Sequence, residues 1–138
     1  GQFQSEAKAF QSQEKVFRAR LAEEPVNTKD AFIFHKTTWR EMYPQIPAGF
    51  DDLLLWNEND EVTEFTIGNL VVKLDGNLFT PPISCGLLAG TFRSHLLETG
   101  KVSERVLRKS ELVKCTKIFL VNSVRKWVTI DPKGFESP

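Results

Sequence analysis

The alternation of apolar and polar side chains is clearest in the middle of the chain, where it predicts antiparallel strands. Residues 53–56 form a short apolar run, residues 57–60 are polar as in a turn, and residues 61–74 alternate with many β-branched side chains. The Asp-Gly pair at 75–76 supplies the positive dihedrals of a tight hairpin, and another strand follows at 78–80. Successive hairpins of this kind indicate an antiparallel sheet.

The second half of the chain mixes helical and strand patterns. Apolar residues at helical spacing follow Gly90, and Gly100 is placed to end the predicted helix. The sequence also predicts a short capped helix at 110–114, a buried strand at 118–121 and a last strand at 127–130. The sum is an α+β fold with a mainly antiparallel sheet and a few helices packed on it.

The start of the chain is polar and rich in glutamine, and its pattern is ambiguous. Apolar residues first fall at roughly helical spacing, whereas residues 17–21 alternate with arginines as in an exposed strand. We therefore predict a helix or linker at the beginning and a strand near 15–22. Residues 1–22 are interpreted as a lead-in to one domain at 23–138, which opens with a turn at 27–30.

A lysine stands between an apolar run and a predicted helix start. Residues 31–34 are apolar, and Thr38 with Glu41 forms a capping box, in which the threonine hydroxyl accepts from the backbone N–H of Glu41. Lys36 is thus expected on the connection before a short helix, where its amine can reach a ligand for Schiff-base chemistry. An ordinary surface lysine is the alternative, because lysines are rarely buried.

Composition restricts the class of protein. The chain has 138 residues, 41% of them hydrophobic, which is enough for one domain with its own core. Eighteen basic and eighteen acidic side chains give a formal net charge of zero. Nucleic-acid binding normally needs a concentrated basic surface, whereas the basic residues at 101–117 are interrupted by Glu104 and Glu111. We therefore expect no nucleic-acid partner.

The cysteines and histidines indicate neither a disulfide framework nor a metal site. Cys85 and Cys115 lack metal-ligand spacing, and reduced thiols in a cytoplasmic protein are the expectation. With His35 and His95 the only histidines, a zinc site is not expected. No apolar run reaches membrane-spanning length and no signal-peptide pattern is present, so the sequence predicts a soluble protein without a membrane partner.

Two acidic residues are candidates for binding a basic group. Glu61 and Glu64 are three residues apart in a strand pattern, so they are expected on opposite faces, one toward solvent and one toward the interior. A buried carboxylate needs a partner, because an unpaired buried charge costs several kcal/mol or becomes neutral. A protonated heterocyclic nitrogen is such a partner.

A second candidate site would bind an anion. Gly90 and Thr91 open the helix predicted above, and the free N–H groups of a helix N-terminus bind phosphate readily. Asn122 and Ser123, which follow the strand at 118–121, can add an N–H and a hydroxyl. The alternative for both places is an ordinary turn.

A reactive lysine, an acid for a ring nitrogen and a phosphate-sized anion site together meet the needs of pyridoxal 5′-phosphate. At residues 30–130 the chain resembles the C-terminal domain of class IV, fold-type IV pyridoxal-phosphate enzymes. This family includes branched-chain aminotransferases, D-amino-acid aminotransferases and aminodeoxychorismate lyases. The resemblance rests on the motifs His-Lys-Thr-Thr-x-Arg, Glu-x-Thr-Glu-x-Thr-x-x-Asn, Thr-Pro-Pro and Gly-Leu-Leu-x-Gly-x-x-Arg. It implies the D-amino-acid-aminotransferase-like fold, with a barrel-like sheet.

The resemblance also implies roles for individual residues. Lys36 would form the Schiff base with the cofactor and shuttle protons as general acid and base. Glu64 would keep the pyridine nitrogen protonated. The backbone of Thr91 and Phe92, together with Ser123, would bind the cofactor phosphate.

Within the family, the sequence is most similar to aminodeoxychorismate lyases, including those fused behind a chorismate-amination component. The implied reaction splits 4-amino-4-deoxychorismate into 4-aminobenzoate and pyruvate, and Asn69 and Arg93 are implied to brace the site. Aminotransferases use the same constellation and remain the first alternative. A non-catalytic scaffold domain that has lost cofactor binding is the second.

The lysine stands unusually early in the chain for this family. Its members have a further domain before the lysine, and an arginine of that domain clamps the cofactor phosphate. The resemblance therefore implies that an N-terminal domain, in cis or in trans, completes the active-site wall. It also implies that the complete enzyme is a homodimer acting on a small-molecule substrate.

Overall fold

Eight β-strands and one α-helix make up most of the regular structure of residues 16–26 and 45–135, the part of the chain that the computed structural model describes. The strands are β1 (Phe17–Leu21), β2 (Asp52–Trp56), β3 (Val62–Phe65), β4 (Asn69–Leu74), β5 (Asn77–Thr80), β6 (Ser103–Glu104), β7 (Lys117–Asn122) and β8 (Lys126–Asp131). The α-helix is α1 (Thr91–Glu98), and short 3-10 helices lie at Ile83–Cys85, Lys109–Lys114 and Pro132–Phe135.

The strands form one sheet that closes into a barrel. Their order is β3-β2-β1-β8-β7-β4-β5-β6, and β3 also pairs with β4. The six strands from β3 to β4 therefore make a ring, from which β5 and β6 extend. Pairing is mainly antiparallel, but β1 runs parallel to both of its neighbours and β6 runs parallel to β5. The predicted α+β class and barrel-like, mainly antiparallel sheet are confirmed.

Both faces of β4 and β7 are buried, and they contact different apolar clusters. Leu70 and Val72 of β4 and Leu120 of β7 point into the main core of the barrel. The alternate residues, such as Val71, pack on the other face against Leu96 of α1. The period of two along each strand thus supplies one face to the barrel and one to the helix. This second contact fixes α1 against the outside of the barrel.

The alternating segment 61–74 folds as two strands rather than one. β3 ends at Phe65, and a turn at 66–68 leads into β4. A Cβ on Gly68 would lie 2.7 Å from both a methyl group of Leu120 and the carbonyl oxygen of Val121. Glycine therefore lets the turn pass directly over β7. The alternating pattern did not reveal this turn, because the turn depends on a close approach to β7, a strand that is distant in sequence.

Most other predicted elements of the described residues are confirmed. The strand predicted near 15–22 is β1, which belongs to the same sheet as the later strands. Gly100 follows the last turn of α1 with a φ of 77°. The short helix predicted at 110–114 is a 3-10 helix that begins one residue earlier, with the Arg108 N–H donating to the Glu111 carboxylate at 2.9 Å. The helix predicted at the chain start, the turn at 27–30 and the helix after Lys36 lie outside the described residues.

Candidate active site

A cavity of about 290 Å³ opens at the end of the barrel where β3 leads into β4. Three chain segments surround it: the turn between β3 and β4, the start of α1, and the end of β7 with the turn that follows. The lining residues are Glu64, Thr66, Ile67, Gly68, Asn69, Leu88, Gly90, Thr91, Asn122 and Ser123. Segments that are far apart in sequence therefore share one site.

Glu64 brings a carboxylate to the wall of this cavity. It lies on β3 opposite Asn69 in the β3–β4 pairing, and only 4% of the residue is exposed. The backbone N–H of Leu88 donates to its Oε1 at 3.3 Å, which orients the carboxylate. A carboxylate that is largely removed from water is stabilised by a cationic hydrogen-bond donor. Glu64 is thus suited to hold a protonated base in the cavity.

The N-terminus of α1 lies at the same cavity, since Gly90 and Thr91 both line it. Gly90 is the N-cap, and no side chain caps the helix. The first backbone N–H groups of a helix have no acceptor within it, and they attract anions together with the helix dipole. Thr91 is exposed at this end. The helix start is therefore available to an anionic group.

Asn69 fixes the position of this helix start. Its Nδ2 donates to the carbonyl oxygen of Leu88 at 2.8 Å, and its Oδ1 accepts from the N–H of Gly90 at 3.2 Å. A Cβ on Gly90 would come within 2.7 Å of the same Oδ1, so glycine permits the close approach. Asn69 of β4 thereby fixes the N-cap residue without capping the N–H groups of the first helical turn.

Arg93 fixes α1 from another direction. Only 3% of the residue is exposed, and one of its terminal nitrogens donates to the carbonyl oxygen of Pro81 at 3.0 Å and to the carboxylate of Glu104 at 2.6 Å. These contacts tie the helix to the segment after β5 and to β6. Arg93 is not among the residues that line the cavity. Its geometry is that of a brace.

The turn at 66–68 is held by an aspartate that the sequence did not mark as functional. Asp52 is fully buried at the start of β2, and its Oδ1 accepts from the backbone N–H of Thr66 at 3.2 Å and from its hydroxyl at 2.5 Å. Burial raises the pKa of this carboxyl, and the hydrogen bonds from Thr66 and Leu53 oppose the shift. An aspartate directly before an apolar strand was the available signal, but its partner is fourteen residues away.

The remaining predicted cofactor residues have different positions. Ser123 lines the cavity on the turn between β7 and β8. The ring of Phe92 packs outside it, 6.2 Å from the His95 ring and 6.1 Å from the Trp127 ring, so only the backbone of Phe92 is left for the site. Lys36 lies outside the described residues. Of the described candidates, Glu64, Thr91 and Ser123 share the cavity.

Residues 16–26 and 45–135 contain neither a membrane-spanning helix nor a metal-binding group of side chains. None of the helices there is long and apolar enough to cross a membrane. No group of three or more histidine, cysteine, aspartate or glutamate side chains is arranged to hold a metal ion in these ranges.

The open end of the barrel combines a buried acid with a helix start that has no side-chain cap, and these features are complementary to a ligand with one anionic group and one protonated base. The sequence pattern of the family described as amino-transferase class IV matches residues 12–131, and the chain belongs to this family. The family consists of enzymes that depend on pyridoxal 5′-phosphate. Membership of the family therefore confirms the expected class of enzyme and the expected cofactor.

Three relatives illustrate the similarity. A Schizosaccharomyces pombe protein provisionally named aminodeoxychorismate lyase is 35% identical over 77% of this chain and 51% of its own length. A crystal structure from Mesorhizobium loti, provisionally named an amino-acid aminotransferase, is 29% identical with a TM-score of 0.70, over 85% of this chain and 59% of that one. A Legionella pneumophila structure provisionally named 4-amino-4-deoxychorismate lyase shares the fold, with 24% identity and a TM-score of 0.65 over 86% and 48% of the two chains.

The chain spans only part of these relatives. It covers 51% of the Schizosaccharomyces pombe protein and 60% of a Haemophilus influenzae relative that is 30% identical over 83% of this chain. The structures agree, since the matched share of the Mesorhizobium loti protein is 59%. These relatives therefore have chain beyond the part that matches.

The residues of the cavity fit the cofactor of the family. Pyridoxal 5′-phosphate carries an anionic phosphate and a pyridine nitrogen that can be protonated. The start of α1 is complementary to the phosphate, and the buried carboxylate of Glu64 is complementary to the protonated nitrogen. Both features open on one cavity of about 290 Å³.

Proposed function

We propose that this chain is the cofactor-binding part of a lyase that converts 4-amino-4-deoxychorismate into 4-aminobenzoate and pyruvate. The observation that supports it most is the common cavity of Glu64, Thr91 and Ser123, which come from three distant segments. The lyase name of the Schizosaccharomyces pombe relative, at 35% identity, favours this reaction over others of the family.

The proposal gives each residue a physical task. Lys36 holds the cofactor through its amine and then carries the proton that leaves the amine-bearing carbon of the substrate. When bound, pyridoxal 5′-phosphate supplies an electron sink that makes this proton acidic. Glu64 keeps the ring nitrogen protonated through a charge-assisted hydrogen bond. The N–H groups of Thr91 and Phe92 and the hydroxyl of Ser123 bind the phosphate.

Elimination of the pyruvate portion then restores the aromatic ring of the product, and this gain makes the step favourable. Lys36 is the base for the first proton transfer and, as its conjugate acid, the donor for the second. When the cofactor is bound, the fixed start of α1 would hold its phosphate, and Glu64, oriented by the Leu88 N–H, would hold its ring nitrogen. One base therefore serves the whole reaction.

Borohydride reduction of the full-length protein tests the assignment of the lysine. Protein loaded with pyridoxal 5′-phosphate is reduced and its peptides are mapped by mass spectrometry, and we expect the label on Lys36. The Lys36→Arg variant should lose the label, whereas Lys101→Arg, which removes an exposed lysine after α1, should keep it. Label on another lysine of the wild-type protein contradicts the assignment.

An aminotransferase is the second candidate, and the Mesorhizobium loti structure at 29% identity supports it. The two reactions use the same acid, anion site and lysine, so product analysis must separate them. Full-length protein is incubated with 4-amino-4-deoxychorismate, and release of 4-aminobenzoate and pyruvate is compared with amination of keto acids. Keto-acid amination without 4-aminobenzoate would select the aminotransferase.

The proposal extends to the assembly and location of the complete enzyme. We infer that a further domain, in cis or in trans, supplies the rest of the active-site wall and that the complete protein is a cytoplasmic homodimer. The two free cysteines, Cys85 and Cys115, are compatible with a reducing compartment. Light scattering of the full-length protein after size-exclusion chromatography should give twice the mass of one chain, and a monomer mass would contradict the dimer.

A further inference from the structure

The side chain of Asn122 connects the two turns that flank the cavity. Its Nδ2 donates to the carbonyl oxygen of Ile67, in the turn between β3 and β4, at 3.0 Å. Its Oδ1 accepts from the backbone N–H of Arg125, in the turn between β7 and β8, at 2.7 Å. One amide group thus spans turns that are 55 residues apart in sequence.

This link lies where the regular pairing of β4 with β7 stops. The last pair of that ladder is Asn69 with Val121, and the chain turns away on both sides beyond it. Gly68 lies against the backbone of β7, since its missing Cβ would meet the Val121 carbonyl oxygen at 2.7 Å. The Asn122 amide therefore continues, with a side chain, the connection that backbone hydrogen bonds make further along the strands.

An ordinary turn explains only half of this geometry. An asparagine that accepts from a backbone N–H a few residues later closes a local turn, and the contact with Arg125 is of this kind. The hydrogen bond from Asn122 to the Ile67 carbonyl joins the turn between β3 and β4, and it does not stabilise the turn between β7 and β8. It sets the position of one cavity wall relative to the other. Ser123, the next residue, lies on the wall so positioned.

We propose that Asn122 is a positioning residue that holds Ser123 and the turn at 66–68 at the spacing needed to bind the phosphate of the cofactor. This inference rests on the proposed function, because it takes the cavity as the cofactor site. Asn122 acts through its two neighbours, one wall on each side. Its effect should therefore concentrate on the phosphate end of the ligand.

Serine at position 122 separates the two contacts. A serine hydroxyl can still accept from the Arg125 N–H and close the turn, but it is too short to span to the Ile67 carbonyl. The Asn122→Ser variant thus keeps the local turn, stays neutral and loses the link between the walls. The matched control is Asn77→Ala, which removes a contact of 3.4 Å from an asparagine side chain to the Asp75 carbonyl in the hairpin at the other end of β4.

The measurement is the affinity of the full-length protein for pyridoxal 5′-phosphate and for pyridoxal, which lacks the phosphate, by absorbance titration. For Asn122→Ser we expect about five- to tenfold weaker binding of pyridoxal 5′-phosphate, the effect of about one hydrogen bond. Pyridoxal binding should stay within about twofold of the wild-type value, and Asn77→Ala should change neither affinity.

The outcomes separate the two proposals. If Asn122→Ser weakens both ligands equally, or neither, Asn122 is a structural residue only and the inference is overturned while the cofactor site stands. If the wild-type protein binds neither ligand, the proposed function fails, and the inference fails with it. Should Asn122→Ser not fold, Asn122→Thr, which keeps the hydroxyl acceptor, is measured against the same criteria.

Discussion

The two ends of β4 both turn at a glycine, but the glycines meet different requirements. At the hairpin end, Asp75 and Gly76 have φ values of 53° and 82°, and a Cβ on Gly76 would meet nothing within 4 Å. At the cavity end, a Cβ on Gly68 would meet Leu120 and the Val121 carbonyl oxygen at 2.7 Å. One glycine is required by backbone dihedrals, whereas the other is required by close packing.

The supporting contacts differ in the same way. The hairpin at Asp75 and Gly76 is closed by its own backbone conformation and by the β4–β5 ladder that begins at the next residue. The cavity end is held by side chains from elsewhere in the barrel: Asp52 on Thr66, Asn69 on the loop before α1, and Asn122 on Ile67. A turn that must present groups to a ligand is thus fixed by distant residues rather than by its own preference.

Alanine at each glycine should give the largest difference between the two ends. Gly68→Ala pushes a methyl group into the backbone of β7, and we expect a loss of about 3 kcal/mol in the free energy of unfolding. Gly76→Ala only forces an alanine into a left-handed conformation, at about 1 kcal/mol. Urea unfolding followed by circular dichroism measures both. Equal losses would show that β7 yields to the added methyl and would remove the distinction.

Removing the asparagine brace should have an intermediate effect. Asn69→Ala leaves the Leu88 carbonyl and the Gly90 N–H without their side-chain partner, and we expect about 2 kcal/mol of destabilisation. The start of α1 should also loosen, which hydrogen exchange of the Gly90 and Thr91 amides would detect.

Asn77→Ala is the matched control at the hairpin end, because Asn77 is exposed and its long contact is local. We expect a change within about 0.5 kcal/mol. If Asn69→Ala and Asn77→Ala destabilise the protein equally, the hydrogen bonds of Asn69 stabilise the fold no more than the local contact of Asn77 does.

The same difference explains what the sequence could reveal. The hairpin at 75–76 was predictable because Asp-Gly encodes its dihedrals locally. The turn at 66–68 was not predictable, because it needs a glycine only to avoid a clash with Leu120, which lies more than fifty residues later in the chain. The parallel position of β1 between β2 and β8 also depends on distant pairing, which alternation cannot specify.

The same contrast between local and distant signals applies to the residues of the candidate site. Glu64, Thr91 and Ser123 were found through motifs whose residues are consecutive or nearly so, and they share a cavity. Asp52 was missed, because a buried aspartate is recognised as a brace only when its partner Thr66 is seen beside it. Phe92 was chosen for its backbone, and the sequence could not indicate that its ring would pack against Trp127 outside the cavity.

The last expected effect depends on pH and belongs to the turn at the cavity end of β4. Burial raises the pKa of Asp52 above the ordinary value of 3.8, so the folded protein holds this proton more tightly than the unfolded chain does. The resulting stabilisation is fully present below 3.8 and is lost as the pH rises through the higher pKa of the folded state. Above that window the native protein must keep an ionised carboxylate out of water.

Asp52→Asn removes this dependence and keeps an oxygen that can accept from Thr66. The free energy of unfolding of the variant, relative to the wild-type protein, should therefore increase with pH by about 1.4 kcal/mol for each pH unit between the two pKa values. A flat difference for Asp52→Asn would mean that its carboxyl ionises as easily in the folded barrel as in water, and the cavity-end brace would then be an ordinary charged contact.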